Sequence, residues 1–511
     1  MNNSEKSKTI AKNTLFLYIR MLFLMGVNIY TSRVVLQAIG VEDYGIYNVV
    51  GGFVSLFSLV SAALTSACTR FLNYEMGRGK TERLNTVFST TVTVQIFLAI
   101  IVAILTETIG IWYLNTHMVI PADRLPAANW VFQFSIATFC LNLITVPYNA
   151  AIIAHERMKT FAYVSILDGS AKLAIAFLVM APLFDKLVYY ALLLCILQLS
   201  IQTIYRVYCK RNFTECTYHF VIDKPLLKQM FSYAGWHLIG NSATILKNQG
   251  VDLILNAFYG PIVNAAKGVA NQVLSAVTGF ASNFMMAMNP QITQSYASGD
   301  RDYMMKLINK GSRFSYYILL ILSIPIIIES NYLLNIWLVE VPEYAVQFVQ
   351  LSLVVSLIAS LSNPLMTAQN ATGKVKVYQI IVGGTLLLNL PLCFLFLKLG
   401  FSPLWVLFVA IAVEIACLFA RLAIIPRYID EFHAHAYLKE VALNCLIVSI
   451  LSVCIPVVVY YMMPESFISF LLVSAISVIC TGLVIFYVGC NNEERDMIRQ
   501  KVQTIKSKIN K

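Results

Sequence analysis

The sequence predicts an all-α integral membrane protein of about 14 transmembrane helices, built as two six-helix bundles related by a parallel repeat, with two further C-terminal helices. Three observations carry this. The 511 residues are 58% hydrophobic and 12% charged, against about 25% charged in an average soluble domain, and the mean hydropathy is +0.71. Fourteen apolar stretches are long enough to cross a hydrocarbon core, which takes ~20 residues. Short signatures recur at nearly one spacing in matching stretches.

The spans are 14–39, 45–69, 84–107, 129–153, 161–181, 187–207, 231–258, 262–288, 307–328, 345–368, 378–398, 403–425, 440–460 and 466–489. The polar, basic MNNSEKSKTIAKN precedes an apolar stretch too long for a signal h-region, so it reads as a retained first span. An even count puts both termini on one side. On that side the connecting segments, with the adjoining span ends, hold 29 of the 37 Lys and Arg. The opposite loops and span ends hold three, Arg124, Lys186 and Lys398, and five lie deeper within spans. Cytoplasmic loops collect Lys and Arg, so both termini are expected in the cytoplasm. The net charge of +11 then needs no nucleic acid. Trp112, Trp130, Trp337 and Trp405 fall near outer span ends and Trp236 near an inner end, as interface anchors.

The fourth span ends in PYNAAIIAHERMK and the tenth in PLMTAQNATGKVK. Pro147, Ala154, Arg157 and Lys159 match Pro364, Ala371, Lys374 and Lys376 at an offset of 217. NYEMG, ending at Gly77, resembles SYASG, ending at Gly299, an offset of 222. LQAIG at Leu36 resembles LNAFY at Leu255, an offset of 219. Six spans per copy preserve orientation, which makes the repeat parallel. The domains follow: a first bundle, 1–206; a basic cytoplasmic linker, 207–230; a second bundle, 231–426; an appended pair of spans, 427–489; and a basic tail, 490–511. Two such bundles around a cavity are a common build of alternating-access transporters.

Ionisable groups inside spans usually face a cavity or pair with each other. The first span carries Arg20 and Arg33, the fifth Asp168 and Lys172, the seventh Lys247 and Asp252, the eighth Lys267 and the twelfth Glu414. Lys247, in ILKNQGVDLIL, lies too deep to snorkel. It is either a cavity cation or a tether to Asp252 or another helix, although a five-residue spacing suits a same-face pair poorly, and Gly250 between them is a place to bend. Asp168 and Lys172, at i,i+4, can neutralise each other or serve a coupling ion or substrate. Arg20, Arg33 and Lys267 either snorkel to headgroups or line a cavity, and Glu414 reads as a helix–helix contact or a cation site. Arg20 and Arg33 are thirteen residues apart, ~220° around a helix, so they do not share a face. Pro147, Pro325, Pro364, Pro391 and Pro456 bend spans and free carbonyls.

Little points to an enzyme. The eleven cysteines form no C-x-x-C pair and mostly lie in apolar runs, as small hydrophobes. The six histidines (His117, His155, His219, His237, His433, His435) form no zinc pattern, and there is no P-loop, so neither metal nor cofactor is expected. The outside acids Glu42, Asp43, Asp123, Asp185, Glu340 and Glu343 are scattered over short loops, unlike the acidic outer loop of an enzyme acting on lipid-linked sugars.

The run NTLFLYIRMLFLMGVNIYTSRVVLQAIGVEDYGIYNVV, most tellingly GVEDYGIYNVV, resembles the start of Wzx-type polysaccharide flippases. These belong to the multidrug/oligosaccharidyl-lipid/polysaccharide exporter superfamily, with the lipid II flippases and the MATE exporters, and the resemblance covers essentially the whole chain. It implies two bundles about a cationic cavity that moves undecaprenyl-diphosphate-linked oligosaccharides across the bacterial cytoplasmic (inner) membrane, for O-antigen, capsule or exopolysaccharide. Lys247, with Arg20, Arg33 and Lys267, would meet the diphosphate. Asp168, Lys172, Asp252 and Glu414 would be coupling-ion sites or structural pairs. Implied partners are the lipid-linked oligosaccharide, membrane lipids and the polymerase or glycosyltransferase machinery. The alternative is a MATE-type exporter coupled to H⁺ or Na⁺, which needs an acid in the first bundle. The first span has none.

Overall fold

The computed structural model describes residues 3–496, except 56, 80, 117, 119, 182, 183, 222 and 339, together with 499 and 503. His117 and most of the basic tail lie outside the described residues. Contacts divide the chain into unit 1, Met1–Ser242 with Thr293–Asp300, and unit 2, Ala243–Ile292 with Arg301–Lys511.

Unit 1 contains α1 (Asn3–Ser55), α2 (Ser58–Gly77), α3 (Thr81–Leu105), α4 (Ile111–Thr116), α5 (Leu125–Ala154), α6 (Met158–Leu178) and α7 (Lys186–Asn212). It also contains the start of α8 (Lys224–Tyr259) and the end of α9 (Pro261–Ser298). Unit 2 holds the rest of α8 and α9. It continues with α10 (Arg301–Ile328), α11 (Ser330–Trp337), α12 (Ala345–Ser360), α13 (Asn363–Thr372), α14 (Lys376–Leu387) and α15 (Asn389–Lys398). It ends with α16 (Trp405–Ile424), α17 (Ala434–Tyr437), α18 (Leu443–Met462) and α19 (Phe467–Val484).

Each span expected from the sequence coincides with helix. Among the described residues, eleven helices are long and apolar enough to cross a membrane. The remaining three expected spans are 45–69, where the helix is interrupted between Ser55 and Ser58, and the seventh and eighth, which carry Lys247, Asp252 and Lys267 and many amides. The protein is a multi-pass membrane protein.

Chain reversals expose the repeat. α1 breaks at Gly40 (φ 85°), and Gly260 (φ 73°) separates α8 from α9. Gly79 (φ 68°) and Gly299 (φ 81°) precede α3 and α10. Both pairs are 220 residues apart. Glu156 (φ 55°) and Gly373 (φ 74°) follow α5 and α13 at the offset of 217. Left-handed backbone is rare outside glycine, so three matched pairs are a strong register mark. They shift the pairing: Gly299 corresponds to Gly79 rather than Gly77, and Gly40 to Gly260.

In unit 1, α5 packs on α1, α2, α3 and α7, and α1 lies along α6. Gly169 of α6 admits Leu24, since a Cβ there would sit 2.4 Å from a Leu24 methyl. Ring contacts of Arg70 and Phe71 with Tyr233 hold the start of α8 in this unit. The unit boundary therefore falls inside α8, after residue 242, rather than in the linker at 207–230. The end of α9 is fixed by Gln294, whose amide donates to the Ala154 carbonyl at 2.8 Å. Gly77 lies directly against it: a Cβ there would be 2.5 Å from the Gln294 carbonyl oxygen and 2.7 Å from its Cα. Backbone cannot yield as a side chain can, so Gly77→Ala is expected to cost about 1–3 kcal/mol through overpacking. A lowered thermal unfolding midpoint of the purified variant is the check; an unchanged midpoint contradicts this contact.

The linker is strapped to unit 1. Asn85 donates to the carbonyls of Glu215 (2.8 Å) and Thr217 (2.9 Å). His155 meets the Glu215 carboxylate at 2.5 Å and stacks on Phe213. Burial pushes the Glu215 carboxyl up, but hydrogen bonds from His155, its own amide and Thr214, with the His155 charge, hold it below the ordinary 4.5. A depressed carboxyl stabilises fully above its unfolded value and loses that contribution as pH falls through the folded value. Limited proteolysis of 213–223 is expected to begin only below pH 4.5; cleavage already at pH 6 would contradict it.

Helices α18 and α19 pack on α10 and belong to unit 2 rather than forming an appendage. Arg313 donates to Glu494 at 2.7 Å and to the Gly489 carbonyl at 3.1 Å, and Tyr316 meets Ser449 at 2.8 Å. α8 runs unbroken through Gly250. That glycine is not a bend: it makes room for Leu390, whose methyl would lie 2.5 Å from a Cβ.

Candidate substrate-binding site

Unit 1 holds a half-open cavity of about 480 Å³ between α1, α5, α6 and α7. One wall comes from α5, where Ser135, Thr138, Asn142, Thr145 and Asn149 line it. Their spacings of three, four, three and four place all five on one helix face, along ~21 Å of axis. Polar side chains within a membrane helix are costly unless they meet partners or water. The second copy lacks the stripe. At the offset of 217, the same positions hold Ser352, Val355, Ala359, Ser362 and Met366, so the repeat does not impose it. Phe139, Phe161, Tyr47, Tyr205, Ser165 and Gln198 complete much of the lining. Thr145 and Ser165 spend their hydroxyl hydrogens on Leu141 and Phe161 carbonyls; Ser165 also meets Tyr205, and Thr145 keeps lone pairs for a ligand. The Asn149 Oδ1 is buried with no hydrogen-bond partner among the described residues.

Three charged groups face this cavity. Lys172 donates to Asp168 at 2.7 Å, the i,i+4 pair visible in the sequence. Arg20 lies over the Phe161 ring, its guanidinium carbon 4.7 Å from the centroid. It forms no direct ion pair among the described residues, although Asp168 lies within electrostatic reach, and its Nε is buried without a hydrogen-bond partner among them. Arg20, Phe161 and Asn149 lie toward the end of the bundle where α5 turns into α6, so the cation sits at one end of the polar stripe.

Beyond Tyr47 and Ala191 the bundle is closed by an apolar cluster including Ile46, Val50, Val131, Phe132 and Leu187. Past it, Arg124 bridges two of the outside acids. It donates to Asp43 at 2.8 Å and to Asp185 at 2.6 Å, and Asp185 also caps α7 through the Leu187 and Val188 amides. Burial raises the Asp185 carboxyl, but Arg124 and those amides hold it below its ordinary value. These acids, scattered in sequence, therefore converge on a structural bridge.

In unit 2 the two lysines and two acids named in its spans pair one to one. Lys247 donates to Glu414 at 2.7 Å, with exposures of 13% and 11%, and not to Asp252. Asp252 instead accepts from Lys267 at 2.6 Å across the turn at Gly260. Each acid read from the sequence as lying inside a span thus holds a lysine. Arg20 and Arg33 remain, and Arg33 is exposed on the surface of α1. Buried cations near span edges escaped the sequence reading, among them Arg313, 11% exposed and bound to Glu494. Arg421 of α16, 4% exposed, donates to Tyr378 at 3.1 Å and Ser362 at 3.0 Å. It lies at a span edge, where basic residues are ordinary. All eleven cysteines are free thiols, and no cluster of potential metal ligands occurs among the described residues.

The model of the family "Polysaccharide biosynthesis protein" matches residues 8–296, more than half the chain. The chain belongs to that family. A second model, MatE, matches residues 248–395 of this polysaccharide biosynthesis family member. The "Uncharacterized membrane protein EpsK" of Bacillus subtilis is 20% identical over 506 residues, covering 96% of this chain and 97% of EpsK. Solved structures show a MATE fold. The Vibrio cholerae MATE transporter VcmN in its bent form, 14% identical, superposes with a TM-score of 0.70 over 85% of this chain and 99% of VcmN. A MOP superfamily transporter from Pyrococcus furiosus, described as having a binding pocket of reversed polarity, is 12% identical. Its TM-score is 0.66, over 82% of this chain and 96% of that one. This family member is accordingly a transporter of the MOP superfamily, related to polysaccharide synthesis.

Proposed function

We propose that this transporter moves undecaprenyl-diphosphate-linked oligosaccharide repeat units from the inner to the outer leaflet of a bacterial cytoplasmic membrane, by alternating access. The unit 1 cavity takes the head of the carrier, and the lipid tail stays in the bilayer. The observation that carries this reading is the α5 polar stripe ending at an arginine that no carboxylate holds in a direct ion pair. A guanidinium offers a planar fork of donors suited to phosphate oxygens. Hydroxyls and amides backed by aromatic rings suit a polyhydroxylated head, whose polar groups would otherwise be desolvated without compensation. Lys247 and Lys267, already holding carboxylates, fit structural pairing better than diphosphate capture, and exposed Arg33 fits the headgroup region. Both termini in the cytoplasm, and contact with polymerase or glycosyltransferase machinery, follow from the same reading.

Export of organic cations is the competing activity. It requires a carboxylate open to the ligand, and Asp168, the acid in this cavity, is engaged by Lys172. Depletion of the protein in its host, followed by lipid extraction, separates the two. Complete repeat units on undecaprenyl diphosphate should accumulate in the cytoplasmic leaflet. No accumulation, with cationic drugs retained in the cells, would overturn the proposal.

A further inference from the structure

Unit 2 holds a smaller cavity, about 110 Å³, to which Lys247, Asn248, Lys267, Asn271, Ser352 and Asn389 contribute the polar lining. Through Ser352 and Val355 it is the repeat counterpart of the unit 1 cavity, but its chemistry differs. We propose that it is a binding site for a small monovalent inorganic anion of the chloride type. The inference is independent of what unit 1 carries.

Hydrogen-bond donors outnumber acceptors at this cavity. An ammonium has three N–H donors. Lys247 spends one on Glu414. Lys267 spends two, on Asp252 and on the Asn248 carbonyl at 3.3 Å. Two remain on Lys247 and one on Lys267. Neither carboxylate lines the cavity; each stands behind its lysine. The two ammonium-bearing side chains are 13% and 12% exposed, whereas Asp252 is 41% exposed.

Asn389, at the start of α15, supplies the second observation. It is 1% exposed. Its Oδ1 accepts from the Cys393 thiol at 3.5 Å. Its Nδ2 is buried with no hydrogen-bond partner among the described residues. A buried donor left unpaired is costly, and this one lies beside two ammonium groups with donors to spare. A cation would find no carboxylate on the wall. The volume suits one ion with a water or two, a water's share of liquid being ~30 Å³, and is too small for a diphosphate-linked sugar. An anion here would link α8, α9 and α15 through Lys247, Lys267 and Asn389.

The test uses the purified full-length protein in detergent. Thermal unfolding is followed in sodium chloride and in sodium gluconate at equal ionic strength, so that general screening cancels. Chloride and bromide should raise the midpoint saturably by a few degrees, as a ligand specific to the folded state does. Asn389→Leu and Lys267→Gln should each lose that increment. Equal midpoints in chloride and gluconate, or an increment retained by both variants, would overturn the site and leave water as its occupant. Should neither variant fold, bromide soaked into wild-type crystals decides: anomalous scattering beside Asn389 Nδ2 supports the site, and its absence contradicts it.

Discussion

Arg20→Gln is expected to abolish most transport while the protein stays folded and inserted. The arginine forms no close ion pair, and Asp168, the carboxylate within its electrostatic reach, keeps Lys172, so its removal strands no opposite charge. The stacking on Phe161 that would be lost is worth ~0.5–2 kcal/mol. At the substrate, the variant loses charge-assisted hydrogen bonds worth roughly 1.5–3 kcal/mol each. With 1.36 kcal/mol per factor of ten, that is about 10- to 100-fold per bond in transport efficiency. Arg20→Lys keeps a point charge without the planar fork and should fall between wild type and Arg20→Gln. Polysaccharide output, normalised to the amount of protein in the membrane, is the readout. Wild-type output from a well-inserted Arg20→Gln would remove Arg20 from the site.

Lys247→Met should behave in the opposite way and lose the fold. Glu414, 11% exposed, would be left as a buried charge without its counter-ion. Breaking a buried pair by removing one partner costs about 3–5 kcal/mol, whereas replacing both partners with neutral groups is often tolerated. The double variant Lys247→Met with Glu414→Gln should therefore recover membrane abundance and thermal stability that the single variant lacks. A Lys247→Met single variant as stable as wild type would show that the pair does not hold α8 to α16.

The span pattern was legible because hydrophobic length is a one-dimensional property, and the helices follow it closely. Where polarity rises, in α8 and α9, length and composition alone no longer mark a span. Rotation about each helix axis was not legible, and it decides what a charge meets. Asp168–Lys172 could be read because both partners share one helix. Lys267–Asp252 could have been read by folding the sequence about Gly260, which places positions 252 and 267 nearly opposite each other. Lys247–Glu414 joins helices 167 residues apart, and no local spacing encodes it. The stripe on α5 was visible as five polar residues at alternating spacings of three and four. Charges inside the spans are the stronger signal in the sequence, although neutral polar side chains form much of the cavity wall. The left-handed turns corrected the repeat register because backbone geometry survives where side chains have diverged.

The most direct test places the purified protein in liposomes holding undecaprenyl-diphosphate-linked oligosaccharide in both leaflets. An added glycosidase that cannot cross the bilayer reports how much of the sugar reaches the outside. Wild-type protein should make nearly all of the lipid cleavable, and Arg20→Gln liposomes should level off near the half already exposed. A plateau at half with wild-type protein, in liposomes that do transport a cationic dye, would contradict the flippase reading and leave a cation exporter in its place.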